Sequence, residues 1–340
     1  MKRIVLMIGP QYMDIYKDII MGLQLLGYEV DFAPELRSNK DHLNVRRPWC
    51  YFSCRNERVK QKYWYIMLNK KEYSKKYDIL FVLNGQGLHH ILFDVLRKRN
   101  PAIKCYNYLF DTIKGVYRFN AFFPYFDKVF SFDRGECDAY GLNWLPIYWV
   151  PQDNTFDVKY DIFGFGAYSS DRFKIYKELY DFSKANSLRS FIKLYCIIHR
   201  EWLYPVLRMI GTPFGLKFEL SLEDYHSPLI AKEIIPPTEY RKLINESKIV
   251  IDTHPEHQDG MTARFMWAIG AGKKVITTNS SIVKYDFYSQ NLIYVLKNSL
   301  NHEEEKKLLA FIYKKTELDR SVLREIEKYR IDNWLQTIVK

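Results

Sequence analysis

The sequence lacks any run of about 18 uninterrupted apolar residues, the length that a membrane-spanning helix requires. Its first apolar run, Ile4–Gly9, is followed by Pro10, which ends it well short of the apolar region of a signal peptide. We therefore expect a buried first strand in a cytoplasmic protein, rather than a secretion signal or a membrane anchor.

Cysteine is also scarce, with five residues scattered over the 340 of the chain. Cys50 and Cys54 have the spacing of metal ligands, but no second Cys or His pair lies nearby to complete a tetrahedral site. We expect free thiols in a reducing compartment, with no metal and no cofactor.

Strand and helix patterns alternate along the chain. Repeated βα units with apolar strands predict parallel sheets covered by helices on both faces. The alternation breaks at 145–154, around Pro146 and Pro151, which predicts a linker. The expected organisation is a first Rossmann-like domain at 1–150, a second at 156–320, and a C-terminal helix at 321–340. Whether that helix returns to the first domain stays open.

Positive charge is concentrated in one segment. The net charge is +11, and residues 40–76 hold eleven Lys or Arg against three acidic residues. Aromatic side chains are interleaved with them, which favours an anionic surface such as lipid headgroups. The predicted membrane or acceptor patch comprises Arg46, Arg47, Trp49, Lys62 and Trp64. A solvated helix face is the alternative. Nucleic acid is not expected, because no recognised binding motif is present.

The segment 248–279 contains the residues that most clearly indicate a ligand-binding site. An apolar strand ends at Asp252, a polar loop follows, and a helix begins after Gly260. Glycine permits close backbone approach, and free N–H groups at a helix start favour phosphate. Thr262 can hydrogen-bond there and Arg264 can form a forked contact with phosphate oxygens. An ordinary strand-loop-helix unit with a capped helix is the alternative.

This segment resembles the nucleotide-sugar loop of GT-B glycosyltransferases, particularly bacterial enzymes of lipopolysaccharide and capsule synthesis. Further motifs of the same kind extend the resemblance over roughly residues 77–295. The matching positions are His254-Pro255, Gln258, Gly260, Thr262, Arg264, Gly270, Lys273-Lys274, 276–279, 285–288, Asp171-Arg172, 108–111 and 126–133. The resemblance implies an α/β fold of the GT-B type, with two Rossmann-like doubly wound domains that face a central cleft.

The resemblance also implies a donor site in the second domain. The residues expected to bind the nucleotide-sugar are Ser170, Arg172, His254, Asp259, Gly260, Thr262, Arg264 and Thr278. Arg172 is the expected partner of the diphosphate, since charge on the leaving group needs a cation. The family often carries two glutamates in this region, whose positions here are Asp259 and Trp267. Trp267 either stacks on a base or packs in the core.

An inverting transferase needs a general base in its first domain. Residues at three positions that follow predicted strands are candidates, namely Asp14, His89 or the adjacent His90, and Asp111. For each of them, a helix-capping or surface role is the alternative.

The function that these expectations favour is the transfer of a sugar from a nucleotide-sugar to a glycan or lipid-linked acceptor in bacterial surface polysaccharide synthesis. The reaction would be metal-independent and take place in the cytoplasm, with contact to the inner face of the membrane left open. Two alternatives remain: a GT-B-like sugar-nucleotide epimerase, and a catalytically inactive GT-B-like subunit that binds partners.

Overall fold

The computed structural model describes residues 2–11, 15–36, 55–116, 118–152, 156–196, 222–254, 260–296, 300–316 and 319–340. These residues form two compact units. The first comprises the described residues of 1–150 with 260–261 and 327–340, and the second comprises those of 151–254 and 262–326.

Each unit is built on a sheet of six parallel strands. The interior strands are apolar runs that are buried along their length, as in β3, because helices cover both faces of such sheets. The strands are β1 (Ile4–Gly9), β2 (Glu29–Pro34), β3 (Ile79–Leu83), β4 (Lys104–Leu109), β5 (Lys128–Ser131), β6 (Asn143–Trp144), β7 (Tyr160–Ala167), β8 (Ser190–Tyr195), β9 (Ile230–Ala231), β10 (Ser247–Asp252), β11 (Lys274–Thr277) and β12 (Ile293–Val295).

Helices connect these strands and complete the two units. Within the described ranges, none has the length and apolar character needed to cross a bilayer. The helices are α1 (Ile15–Leu25), α2 (Glu57–Asn69), α3 (His90–Arg99), α4 (Arg134–Tyr140), α5 (Ser170–Ala185), α6 (Leu222–Tyr225), α7 (Pro237–Asn245), α8 (Ala263–Gly270), α9 (His302–Tyr313), α10 (Arg320–Glu327) and α11 (Ile331–Val339).

The strand order gives each sheet one point at which the direction of winding reverses. The first sheet runs β2-β1-β3-β4-β5-β6 and the second runs β12-β11-β10-β7-β8-β9. The reversals therefore lie between β1 and β3 and between β7 and β10. In doubly wound sheets, ligands bind beyond the carboxyl ends of the strands at such reversals.

The C-terminal helix α11 belongs to the first unit. Trp334 is fully buried there, and its indole N–H donates to the carbonyl of Pro146 at 2.9 Å. Its ring packs on Tyr108 and Tyr148, with centroid separations of 4.6 and 5.0 Å. The backbone N–H of Ile331 also donates to the carbonyl of Trp149 at 2.9 Å.

The stretch 145–150, predicted as linker, is packed into this first unit instead. Leu145, Ile147, Tyr148 and Trp149 are all buried. Pro146 and Pro151 suggested an exposed connection over 145–154, but 145–149 runs beneath α11, which the local sequence pattern could not reveal.

The predicted basic aromatic patch is only partly described. Arg46, Arg47 and Trp49 lie outside the described residues. Lys62 is exposed on α2, whereas Trp64 is fully buried and donates its indole N–H to the carbonyl of Gly87 at 2.9 Å. The inclusion of Trp64 in a surface patch is therefore wrong, because its ring belongs to the core under α2.

In the second unit, a buried lysine ties β11 to the end of α9. The Lys274 ammonium donates to the carbonyls of Phe311 at 2.6 Å and of Lys314. These carbonyls belong to the last turn of α9, where a cation satisfies backbone acceptors that have no partner in the helix. Lys274 is thus a helix-capping residue that holds α9 on the sheet.

We predict that Trp334→Ala lowers the free energy of unfolding of the first unit by about 3–5 kcal/mol, because it leaves a cavity and an unpaired carbonyl under α11. Thr337→Ala, at an exposed position of the same helix, should change it by less than about 0.5 kcal/mol. Urea denaturation followed by tryptophan fluorescence measures both. Equal stability of the two variants would contradict the packing role of α11.

Candidate functional site

Two arginines lie at the winding reversal of the second sheet, beyond the carboxyl ends of β7 and β10. Arg172, in the first turn of α5, donates from Nε to the hydroxyl of Thr253 at 2.7 Å and from Nη1 to the carbonyl of Ala167. It therefore bridges the two strands between which the winding reverses.

Arg264, in the first turn of α8, also bridges β7 and β10. Its Nε lies 3.3 Å from the carboxylate of Asp252, and its Nη1 donates to the carbonyl of Phe165 at 2.7 Å and to the hydroxyl of Tyr176 at 3.2 Å. The side chain of Arg264 is only 12% exposed, so these contacts fix its position.

A glycine allows the two guanidinium groups to share this space. A Cβ at Gly166 would lie 2.7 Å from Nη1 of Arg264 and 3.5 Å from Nη1 of Arg172. The Nη2 of each arginine has no hydrogen-bond partner among the described residues. Each arginine thus keeps one nitrogen that can donate to a ligand.

The local charge is positive. Burial lowers the pKa of Arg172, and the nearby charge of Arg264 lowers it further. Burial also opposes the charge of Arg264, but Tyr176, Tyr240 and Asp252 raise its pKa overall. Arginine remains charged in either case, so two cations face one carboxylate. The excess positive charge suits an anion such as a phosphate group.

Asp252 organises the strand ends around the arginines. Its carboxylate accepts from the hydroxyl of Thr262 at 2.6 Å and from that of Thr277 at 3.3 Å. Thr262 in turn caps α8, because its hydroxyl accepts from the backbone N–H of Phe265 at 3.2 Å. The backbone N–H of His254 donates to the hydroxyl of Thr278 at 2.8 Å.

The second unit thus brings together most of the residues predicted to bind the donor. Arg172, Thr262 and Arg264 are linked through Asp252 and Thr253, and His254 and Thr278 pair beside them. Ser170 is the first residue of α5, and the N-cap is Ser169, whose hydroxyl accepts from the N–H of Arg172 at 3.3 Å. Asp259 lies outside the described residues.

Gly260 lies in the first unit, against the ring of Phe132. An added Cβ would sit 2.2 Å from that ring, so the position requires glycine. The expected approach of its backbone to a ligand stays a prediction.

Trp267 packs in the core of the second unit. Its side chain is 7% exposed, its ring lies edge-on to that of Tyr240, and the guanidinium of Arg241 stands over its face. The ring is thus buried and one of its faces is covered by Arg241, which favours the core alternative over base stacking.

Of the three candidate bases, His89 is the N-cap of α3. Its Nδ1 accepts from the backbone N–H of Ile91 at 3.2 Å, and burial followed by the charge of His90 lowers its pKa. Asp111 is exposed just beyond β4 and accepts from the side-chain amide of Asn84 at 2.8 Å. Asp14 lies outside the described residues.

Three residues of the arginine cluster were not predicted as site residues. Asp252 was identified only as the end of an apolar strand, and Tyr176 and Tyr240 belong to none of the motifs. The position of Asp252 at the end of an apolar strand was an available signal, whereas the tyrosines lie in helices and come close only through the fold.

Over the described ranges, no group of three or more His, Cys, Asp or Glu side chains is arranged to hold a metal ion. Cys50 and Cys54 fall outside these ranges.

Comparison with known proteins supports the fold. No protein-family model matches the chain, and no curated protein matches it in sequence. Among solved structures, it is similar to the UDP-forming α,α-trehalose-phosphate synthase of Burkholderia vietnamiensis, with 9% identity, a TM-score of 0.55, and 99% and 96% coverage of the two chains. The α,α-trehalose 6-phosphate synthase of Burkholderia multivorans gives 10% identity, a TM-score of 0.52, and 99% and 97% coverage.

Together with the two six-stranded parallel sheets, these similarities confirm the predicted fold class. The chain has the GT-B fold, with two Rossmann-like, doubly wound units. At such low identity the similarity shows the fold alone, and the function must be argued from the site.

We predict that His89 makes the stability of the first unit pH-dependent. Its folded pKa is lowered, so below about pH 6.5 the unfolded chain binds a proton that the folded chain does not. The contribution of neutral His89 to the free energy of unfolding is therefore complete above pH 6.5 and is lost as the pH falls. His89→Asn keeps a capping side chain. Its free energy of unfolding, measured by urea titration, should differ less between pH 7.5 and pH 5.5 than that of the unaltered chain.

His302→Asn, at an exposed position, is the matched control. It should lose as much stability between pH 7.5 and pH 5.5 as the unaltered chain does. The interpretation of His89 as a neutral cap fails if both variants lose the same stability on acidification.

Proposed function

We propose that the chain is a glycosyltransferase that takes a sugar from a nucleotide-sugar donor to a glycan or lipid-linked acceptor. The observation that carries this proposal is the pair of arginines at the winding reversal of the second sheet. Among the described residues, Nη2 of each arginine has no partner, and nucleotides bind at such reversals in doubly wound sheets.

The chemistry of transfer fits such a pair. When the bond from the sugar to the diphosphate breaks, negative charge develops on the leaving oxygen, and fixed cations stabilise it without reorganisation. Arg172 and Arg264 supply these cations, so the reaction we propose needs no metal and no separate cofactor. The motif resemblance favours an acceptor from bacterial surface polysaccharide synthesis.

We predict that a nucleoside diphosphate sugar raises the melting temperature of the chain. UDP-glucose, GDP-mannose and dTDP-glucose are compared with CMP-neuraminate, which carries one phosphate and should stabilise less. Arg172→Gln should weaken binding at least about tenfold, since a charged hydrogen bond contributes about 1.5–3 kcal/mol. Binding is measured by calorimetry. Lys174→Gln removes the same charge from an exposed position of α5 and should leave binding unchanged.

Arg264 is less suitable for this test, because its loss would leave the carboxylate of Asp252 buried without its partner. Absence of stabilisation by every nucleotide-sugar would reject the proposal. Binding followed by conversion of the sugar, without release of nucleotide, would favour an epimerase. Binding without either reaction would favour an inactive subunit.

We further propose that the first unit contacts an anionic membrane surface through α2. The exposed side of this helix carries Arg58 and Lys62 beside the apolar side chains of Val59, Tyr65 and Ile66. Tyr65 is 59% exposed, and Val59 and Ile66 are each 37% exposed. Basic and apolar residues on one face are typical of helices that lie in the headgroup region.

We predict that the double variant Arg58→Ala, Lys62→Ala loses affinity for vesicles of phosphatidylcholine with phosphatidylglycerol, by roughly 1 kcal/mol for each charge removed. Sedimentation with the vesicles measures it. The double variant Lys98→Ala, Lys114→Ala removes two exposed charges elsewhere in the first unit and should bind as the unaltered chain does. Equal binding by both double variants would reject the contact.

A further inference from the structure

The end of β11 and the loop after it, residues 277–281, carry only uncharged polar side chains, in the order Thr-Thr-Asn-Ser-Ser. Because β11 pairs with β10, this loop lies beside the arginine cluster of Arg172 and Arg264. The hydroxyl of Thr277 donates to the carboxylate of Asp252 at 3.3 Å, and that carboxylate in turn contacts Arg264. The loop is therefore attached directly to the arginine cluster, within the same unit.

Asn279 is the residue of this loop whose side chain is held most firmly. It is 4% exposed, and its Oδ1 accepts from the backbone N–H of Ser281 at 2.9 Å, which caps the short 3-10 helix 280–284. The backbone N–H of Asn279 donates to the hydroxyl of Thr277 at 3.1 Å. Since the amide oxygen is held, the direction of the amide nitrogen is fixed as well.

The amide nitrogen of Asn279 donates to no group among the described residues. It is also not one of the unpaired nitrogen and oxygen atoms that are fully shielded from solvent. Nδ2 therefore reaches the surface from a side chain that is otherwise buried. An amide nitrogen has two hydrogens to donate and accepts none, so its partner in a ligand must be an acceptor oxygen or nitrogen.

Thr278 adds a second neutral donor to the loop. Its hydroxyl accepts from the backbone N–H of His254 at 2.8 Å, which joins the loops that follow β10 and β11. The residue is half-buried, and its hydroxyl hydrogen has no acceptor among the described residues. The loop thus offers uncharged hydrogen-bond donors next to two cations.

The opposite side of the arginine cluster has a different character. The neighbour of β7 on that side is β8, and aromatic residues lie at the ends of both strands. The ring of Tyr195 stacks on that of Phe165 at 5.6 Å, and the ring of Tyr168 contacts that of Phe173 at 5.7 Å. Aromatic surroundings suit a nucleobase, whereas neutral hydrogen-bonding groups suit the oxygens of a sugar.

We propose that the loop 277–281 holds the sugar of the nucleotide-sugar donor and that Asn279 binds it, through a hydrogen bond from Nδ2 to a sugar oxygen. The inference rests on the proposed function and divides the same site into two parts. The arginines hold the diphosphate by charge, and Asn279 recognises the sugar without charge. Asn279 therefore determines how much more tightly a nucleotide-sugar binds than the corresponding nucleoside diphosphate.

The test compares affinities for three pairs of ligands, namely UDP-glucose with UDP, GDP-mannose with GDP, and dTDP-glucose with dTDP, by calorimetry on the full chain. At least one nucleotide-sugar should bind the unaltered chain more tightly than its diphosphate does. Asn279→Ser keeps a capping hydroxyl and removes the amide. It should weaken binding of that nucleotide-sugar by about threefold to tenfold and leave binding of the diphosphate unchanged.

Asn301→Ser is the matched control, because Asn301 is the exposed N-cap of α9 and accepts from the backbone N–H of Glu304 at 2.9 Å. It loses a similar cap and should bind both ligands as the unaltered chain does. Asn279→Asp keeps the bond to Ser281 and replaces the amide donor by an acceptor, so it tests the contact with the cap intact. It should lose the preference for the nucleotide-sugar as well.

Equal weakening of the nucleotide-sugar and of the diphosphate by Asn279→Ser would overturn the assignment, because a structural cap or a contact to the nucleotide acts on both. It would also be overturned if both Asn279 variants kept the full preference, or if no nucleotide-sugar bound the unaltered chain more tightly than its diphosphate. Each of these results leaves diphosphate binding by Arg172 intact. Absence of binding by every ligand would instead reject the proposed function, and this inference with it.

Discussion

The second unit depends on the buried ion pair between Arg264 and Asp252. Asp252 is 2% exposed and ends the strand β10, while Arg264 begins α8, so their contact fixes the helix to the sheet. Removing either partner would leave a charge buried without compensation, at a cost of about 3–5 kcal/mol. A second guanidinium group, that of Arg172, lies beside the pair and is held by Thr253 and the carbonyl of Ala167.

The same residues therefore support the fold and form the candidate site. Thr262 caps α8 and donates to Asp252, and Arg172 ties α5 to the strand ends through Thr253. Because these bonds are complete without a ligand, the remaining guanidinium nitrogens are held in position before a ligand arrives. Such preorganisation lowers the entropic cost of binding an anion.

Much of the fold could be predicted, because buried parallel strands are short apolar runs separated by helices of recognisable period. Strands as short as β6 and β9, with two residues each, are too brief to leave such a pattern. A helix over the basic segment was only an alternative, because the basic residues of α2 hide its buried positions. Of these, Tyr63, Trp64, Met67 and Leu68 follow helical spacing within a segment dominated by charge.

The candidate site was predictable in part. Arg172, Thr262 and Arg264 lie in motifs that identify them, but their pairing does not follow from spacing. Arg264 donates to a carbonyl that lies 99 residues earlier in the chain, and only the sheet order brings the two together. Likewise, the capping role of His89 depends on where α3 begins, and helix boundaries are the least predictable part of a sequence analysis.

The position of α11 has a consequence for biosynthesis. The helix completes the first unit, yet ribosomes add it after the whole of the second unit. Until Trp334 leaves the exit tunnel, Tyr108 and Tyr148 lack the ring that covers them, and the nascent first unit displays more apolar surface. The second unit can then fold during translation, whereas the first, although begun earlier, reaches its final packing later.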